Sequence, residues 1–358
     1  MNEKGLAGIL VASILLSVLT SVYVMYHVHG VPGYCKNAER KMLEDFLSGM
    51  KELAAKQRNV IGSGVSAGVR LETQYPYPTI PFFITPSYAT ASYTTYDISV
   101  TVENITSDEV QIPSSITLRG KALVANFRPV FTAPITSFLE LGILATEGAY
   151  IDGSPVSNGE IFLPFFDGSP SMQLFPSSAG GRGIMIKPQS GKNITIKIDG
   201  TRLPRTVWEE YSRVTGYKVD YRTAGGEARV TITLPRDTGF LLRSGVASFI
   251  TGKIVSEANY LIPTAPTVQK SPAAVTVEAI DEYFNPVKSR ITLSFVSGSS
   301  NYRIYIPTSS GLNQVSLPYQ VTDSELSTLV VVSSGVSVFK ASIQRAGGPY
   351  EVAFAVSS

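Results

Sequence analysis

Gly5 through Cys35 is a run of 31 residues without one formally charged side chain, placed directly behind Glu3 and Lys4. Its core, Leu6–Tyr26, is 21 residues long. At about 1.5 Å of rise per residue, a helix of that length covers the ~30 Å hydrocarbon thickness of a bilayer. Everything past residue 60 reads as turn-punctuated β-structure. The predicted layout is a mainly β protein in which a transmembrane or assembly α-helix, 6–29, tethers an extracytoplasmic body.

A cleaved secretory signal has an apolar core of roughly 7–15 residues before a small-x-small site. Here the core is longer, and Tyr26–Gly33 holds no such site. Glu3-Lys4-Gly5 followed by Leu6-Ala7 resembles the recognition site of a prepilin peptidase, as found in the archaeal type IV pilin and archaellin families. The resemblance implies a leader over 1–5, with Lys4, Gly5 and Leu6 as the processing site and a prepilin peptidase as partner. It also implies a helix that is first a membrane anchor and later the packed core of a filament. A plain uncleaved signal anchor is the alternative.

The helix carries two stripes of small residues: Ser13, Ser17 and Ser21 on one side, Gly8 and Ala12 on another. Small residues four apart let apolar helices approach closely, which suits self-association in a bundle. The flanking charges point the other way on orientation. Only Lys4 precedes the span, whereas Lys36, Arg40 and Lys41 follow it, and positive flanks usually stay inside. The extracytoplasmic character of the body outweighs this count.

Gly30-Val-Pro-Gly33 is expected to break the helix, since proline removes a backbone donor. An amphipathic helix over 34–60 follows, with Leu43, Phe46 or Leu47, Met50 and Leu53 on its apolar face and Glu39 among the polar remainder. That succession is also the pilin layout.

Removing the first 60 of 358 residues leaves enough chain for two or three β domains. A net charge of +2 without a basic, aromatic-interleaved cluster argues against nucleic acid. Cys35 is the only cysteine, so no intrachain disulfide framework exists. Asn104-Ile-Thr106 and Asn193-Ile-Thr195 are glycosylation sequons in strand-like contexts.

Gly62–Gly68 reads as a linker. Strands are expected at 96–102, 115–119, 122–127, 148–151, 160–164, 183–187, 194–198, 218–221, 228–234, 239–243 and 247–254. Two Asp-Gly-Ser-Pro copies, Asp152–Pro155 and Asp167–Pro170, read as hairpin ends. One short helix, 204–215, opens at Pro204, ends before Gly216 and carries Trp208 and Tyr211 as a plug for the sheet. A short Trp-x-x-Tyr helix between β segments loosely resembles archaeal secreted pilin-like proteins.

The body therefore divides into a β-rich domain, 69–262, and a seven-strand sandwich, 267–358, joined near Pro263–Pro266. The sandwich is expected to fold independently, with few contacts to the first domain and a core of Val275, Val277, Ile291, Leu293, Val330 and Val338. Its Asp281-Glu-Tyr-Phe-Asn-Pro-Val287 resembles the first hairpin of the invasin/intimin-type bacterial immunoglobulin-like repeat, except that Phe284 stands where the family carries glycine. The resemblance implies a stalk or adhesive module.

His27 and His29 are the only histidines, both at the membrane edge, so the body has none for a Ser-His triad or a His-rich metal site. No metal, cofactor or catalytic residue is expected. A glycosidase would need two carboxyls about 5–9 Å apart across a cleft, which adjacent pairs such as Asp281-Glu282 do not supply by themselves.

Overall fold

The computed structural model describes residues 3–79, 87–108, 112–176, 183–224, 227–236, 238–250, 257–263, 268–345 and 348–358. The chain is mainly β with a long N-terminal helix.

That helix does not break at Gly30–Gly33. An α-helical segment, Glu3–Met25, passes through a π turn, Tyr26–Gly30, into a second α-helical segment, Val31–Ser63. The Val31 N–H donates to the Tyr26 carbonyl five residues back. The wider turn admits Pro32 at the start of the next segment, where a missing N–H costs little. The helix ends at Gly64, whose left-handed φ of 68° lets its N–H cap the Val60 carbonyl. Gly62 and Ser63, expected in a linker, are its last turn.

From Val31 onward one face is buried: Val31, Cys35, Glu39, Met42, Phe46, Met50, Leu53, Gln57, Val60 and Ile61. Glu39 is thus on the packed face, contrary to expectation. The helix lies on a large sheet whose spine is the hairpin of Tyr88–Glu103 and Ser115–Arg128, paired from Thr90↔Arg128 to Glu103↔Ser115. Phe46 stacks on Phe127 with ring centroids 5.4 Å apart. The other sheet core takes Trp208 and Tyr211, both fully buried, from the helix Arg205–Thr215. The plug reading of that helix agrees with its position.

Two expected strand breaks are absent. Ser115–Arg128 runs straight through Gly120, and Phe240–Ser248 through Gly245. A Cβ at Gly120 would sit 2.5 Å from the Phe165 ring, and one at Gly245 2.5 Å from Ile61. These glycines make room for neighbours rather than turns. Neither Asp-Gly-Ser-Pro copy closes a hairpin of its flanking strands. Glu160–Asp167 runs parallel to Phe240–Ser248, which separates it from Gln173–Pro176, and Ala149–Asp152 pairs back onto Ile143–Thr146. Residues 251–254 of the expected strand 247–254 lie outside the described residues.

The C-terminal module is a sandwich of two five-stranded sheets. The seven expected strands are present as Ala273–Ile280, Ser289–Gly298, Tyr302–Thr308, Gly311–Val315, Glu325–Val332, Val336–Ile343 and Tyr350–Ser357, joined by Tyr260–Pro263, Val268–Lys270 and Tyr319–Asp323. Tyr260–Pro263 adds antiparallel to Ala273–Ile280 in one sheet, and Val268–Lys270 adds parallel to Tyr350–Ser357 in the other. Pro263 closes the first of these strands, while the remainder of the expected linker, 264–266, lies outside the described residues. In the core, Phe339, Ala341 and Ile343 point inward on Val336–Ile343, which leaves Val338 only half-buried.

The expectation of few contacts between domains fails. Ile262, Ile280, Tyr283 and Phe284 belong to the same apolar cluster as Phe165 and Trp208 of the first domain. The Tyr283 hydroxyl donates to the Arg119 carbonyl at 2.5 Å, and the Ser244 hydroxyl to the Tyr283 carbonyl at 3.2 Å.

Candidate functional site

The N-terminal helix divides at the π turn. Beyond it one face is buried in the body; before it the large apolar side chains from Leu10 to Met25 are 50–68% exposed. It is the one helix, among the described residues, long and apolar enough to cross a membrane. Lys4, Gly5 and Leu6 lie in its first helical turns. Ser13 and Ser21 each donate their hydroxyls back to a helix carbonyl, Leu10 at 2.9 Å and Ser17 at 2.8 Å. A hydroxyl satisfied inside its own helix tolerates an apolar surrounding. A Cβ at Gly8 would meet no atom within 4 Å, and Ala12 is likewise exposed, so both stripes are open to whatever surrounds the helix. The π turn carries His27 and His29, with the His27 ring 4.1 Å from that of Tyr23.

Where the helix enters the body, Glu39 holds it. Its Oε1 accepts the backbone N–H groups of Val130 at 2.7 Å and Phe131 at 2.8 Å, and the Tyr77 hydroxyl. Burial pushes this carboxyl up, but the hydrogen bonds from Tyr77, Phe131 and Val130 outweigh it and hold Glu39 below the ordinary carboxylate range. Helical periodicity could not single it out, because a buried glutamate and an exposed one look alike in sequence.

The two sequon asparagines are brought together. Asn104, at φ 61°, donates its Nδ2 to the Asn193 carbonyl at 3.0 Å, and Asn193 donates its own to the Leu234 carbonyl at 2.9 Å. Each nitrogen that would carry a sugar therefore gives one of its two N–H groups to a backbone acceptor.

The joint between the two β units forms a cleft of about 810 Å³. Asp97, Asp167, Asp199, Glu227, Glu257 and Glu282 line it with Arg119 and Lys121. Burial raises the Glu282 carboxyl above its ordinary value. Among the described residues no group of three His, Cys, Asp or Glu side chains is placed to hold a metal ion. No protein-family model matches this chain, and a search of the curated proteins returns no match either.

Proposed function

We propose that the protein is a non-enzymatic, pilin-like cell-surface or filament subunit of the archaeal type, held by its N-terminal helix and presenting a β-rich structural or adhesive body outside the cell. The observation that carries this reading is the division of one uninterrupted helix into a bare apolar half and a half packed on the body. Exposed apolar area of that extent needs lipid or other helices to cover it. The Lys4-Gly5-Leu6 resemblance adds processing by a prepilin peptidase, and the small-residue stripes add self-association. N-terminal sequencing of protein taken from cells tests it: a mature chain starting at Leu6 is expected, and one still starting at Met1 removes the pilin version. Shearing cells then separates a filament subunit, recovered in high-molecular-weight material, from a membrane-anchored adhesion protein that never polymerises.

The acidic cleft favours a second reading, a surface hydrolase with Glu282 as its acid. Turnover of a polysaccharide panel, abolished by Glu282→Gln, would establish it; no turnover leaves the structural reading in place.

A further inference from the structure

We infer that the helix-side end of the body is a docking surface for anionic lipid headgroups, formed by Lys36, Arg40, Lys41 and Arg128 around Tyr88 and Val130. This rests on the reading of the N-terminal helix as a membrane anchor and adds the lipid chemistry its exit would recognise.

Because the helix is continuous from Glu3 to Ser63, positions along it are distances along one axis. The 31 uncharged residues Gly5–Cys35 extend about 45 Å at 1.5 Å per residue, against the ~40–45 Å of a bilayer with its headgroups. Lys36 therefore arrives at the headgroup plane on the side of the body. Arg40 and Lys41 follow within about 8 Å, no further than a Debye length at physiological salt. All three cations after the span are exposed.

The body meets the helix at the same height. Glu39, next to Arg40, accepts the Val130 N–H at 2.7 Å, which fixes the end of strand Ser115–Arg128 beside it. Arg128 is exposed there and pairs with Thr90, two residues from Tyr88. Val130 and Tyr88 are 57% and 46% exposed. Aromatic and apolar side chains between cations make an interfacial surface rather than a solvated one. The nearby carboxylates leave a small positive excess: Lys36, Arg40, Lys41 and Arg128 face Glu39, whose charge is buried and held by backbone N–H groups, Glu44, in a loose, exposed pair with Arg40 at 3.8 Å, and Asp45, exposed one turn past Lys41. The positive flank that conflicts with the usual loop charge bias acquires a role here, on whichever leaflet faces the body.

The test uses the full chain in vesicles, with a fluorophore on Val130→Cys and headgroup nitroxide lipids as quencher; Cys35 is fully buried and does not compete for the label. Quenching is expected to be stronger in phosphatidylcholine–phosphatidylglycerol vesicles than in phosphatidylcholine alone. Lys36→Gln, Arg40→Gln, Lys41→Gln and Arg128→Gln together should erase the difference, each cation removed lowering surface docking about fivefold. High salt on the otherwise unmutated chain should erase it too, an arm that decides the matter if the quadruple variant misfolds. Equal, salt-independent quenching in both lipids overturns the docking surface while leaving the anchor standing. Release of the chain from vesicles by alkaline carbonate overturns the anchor, and the docking surface with it.

Discussion

Phe284 stacks on Tyr260 with ring centroids 6.0 Å apart and an angle of 20° between the planes, although its backbone sits at φ 66°. The left-handed region costs a side chain bearing a Cβ roughly 1–2 kcal/mol. Glycine would relax there, since it has no Cβ. Burying the ring between the two β units offsets the strain, since removing a buried phenylalanine costs about 3–5 kcal/mol. Phe284→Gly should therefore destabilise the protein by about 2–3 kcal/mol, and Phe284→Ala by more, because alanine loses the ring and keeps the strain. Urea unfolding of both variants checks the order; a glycine variant less stable than the alanine one would remove the strain argument.

Phe284 also marks the limit of what the sequence reveals. The motif from Asp281 to Val287 is legible as a turn, and Asp281 holds it by accepting the N–H groups of Tyr283 and Asn285, both at 2.9 Å. That its two aromatic side chains leave their own sandwich for another domain's core depends on contacts far apart in sequence, such as Tyr283 with Arg119. Turn-bounded apolar runs identified most strands. That reading split two strands at Gly120 and Gly245, since a glycine for close approach and a glycine for a turn are the same letter. The apolar helix was legible from composition, whereas the Glu39 clamp and the acidic cleft exist only once distant strands are paired.

Gly245 gives a second prediction. A Cβ there would lie 2.5 Å from Ile61 on the helix. Gly245→Ala should cost about 1–3 kcal/mol by prising the helix off the sheet, as overpacking does. Adding Ile61→Ala should recover part of that loss. Denaturation of the single and double variants gives the coupling, and simple additivity would mean the helix does not press on this strand.

Two buried carboxyls should respond to pH in opposite senses. The folded-state pKa of Glu39 is lowered, so its stabilisation is present above the unfolded value and lost as pH falls through the folded one. Glu39→Gln should then cost about 1–3 kcal/mol at neutral pH, shrinking in acid. Burial raises Glu140, which accepts the Tyr96 hydroxyl at 2.5 Å and the Arg202 N–H at 3.2 Å. Its contribution is most favourable below the unfolded pKa and declines as pH rises toward the folded one. Glu140→Gln should accordingly cost less at high pH than at low. Thermal melts of each variant across pH decide it, and parallel slopes for the two would contradict the assignment.

The C-terminal module offers the sharpest test of how the two β units depend on each other. A fragment starting at residue 267 has all seven expected strands but lacks Tyr260–Pro263, which pairs with Ala273–Ile280 from Tyr260↔Ile280 to Pro263↔Val277. It also leaves Tyr283 without the Phe165 ring and the Ser244 and Arg119 partners it has in the intact chain. A fragment starting at 257 restores the edge strand and the Tyr260 ring under Phe284, though not the rest of the socket. Stability should therefore rise from 267–358 to 257–358. In both fragments Tyr283→Ser should be nearly neutral, because its ring is already in water, whereas in the full chain it should cost at least about 2 kcal/mol. Chemical unfolding of the two fragments and the intact protein measures all three. Equal fragments, with Tyr283→Ser neutral in the full chain as well, would mean that the sandwich stands alone and the joint is mere contact.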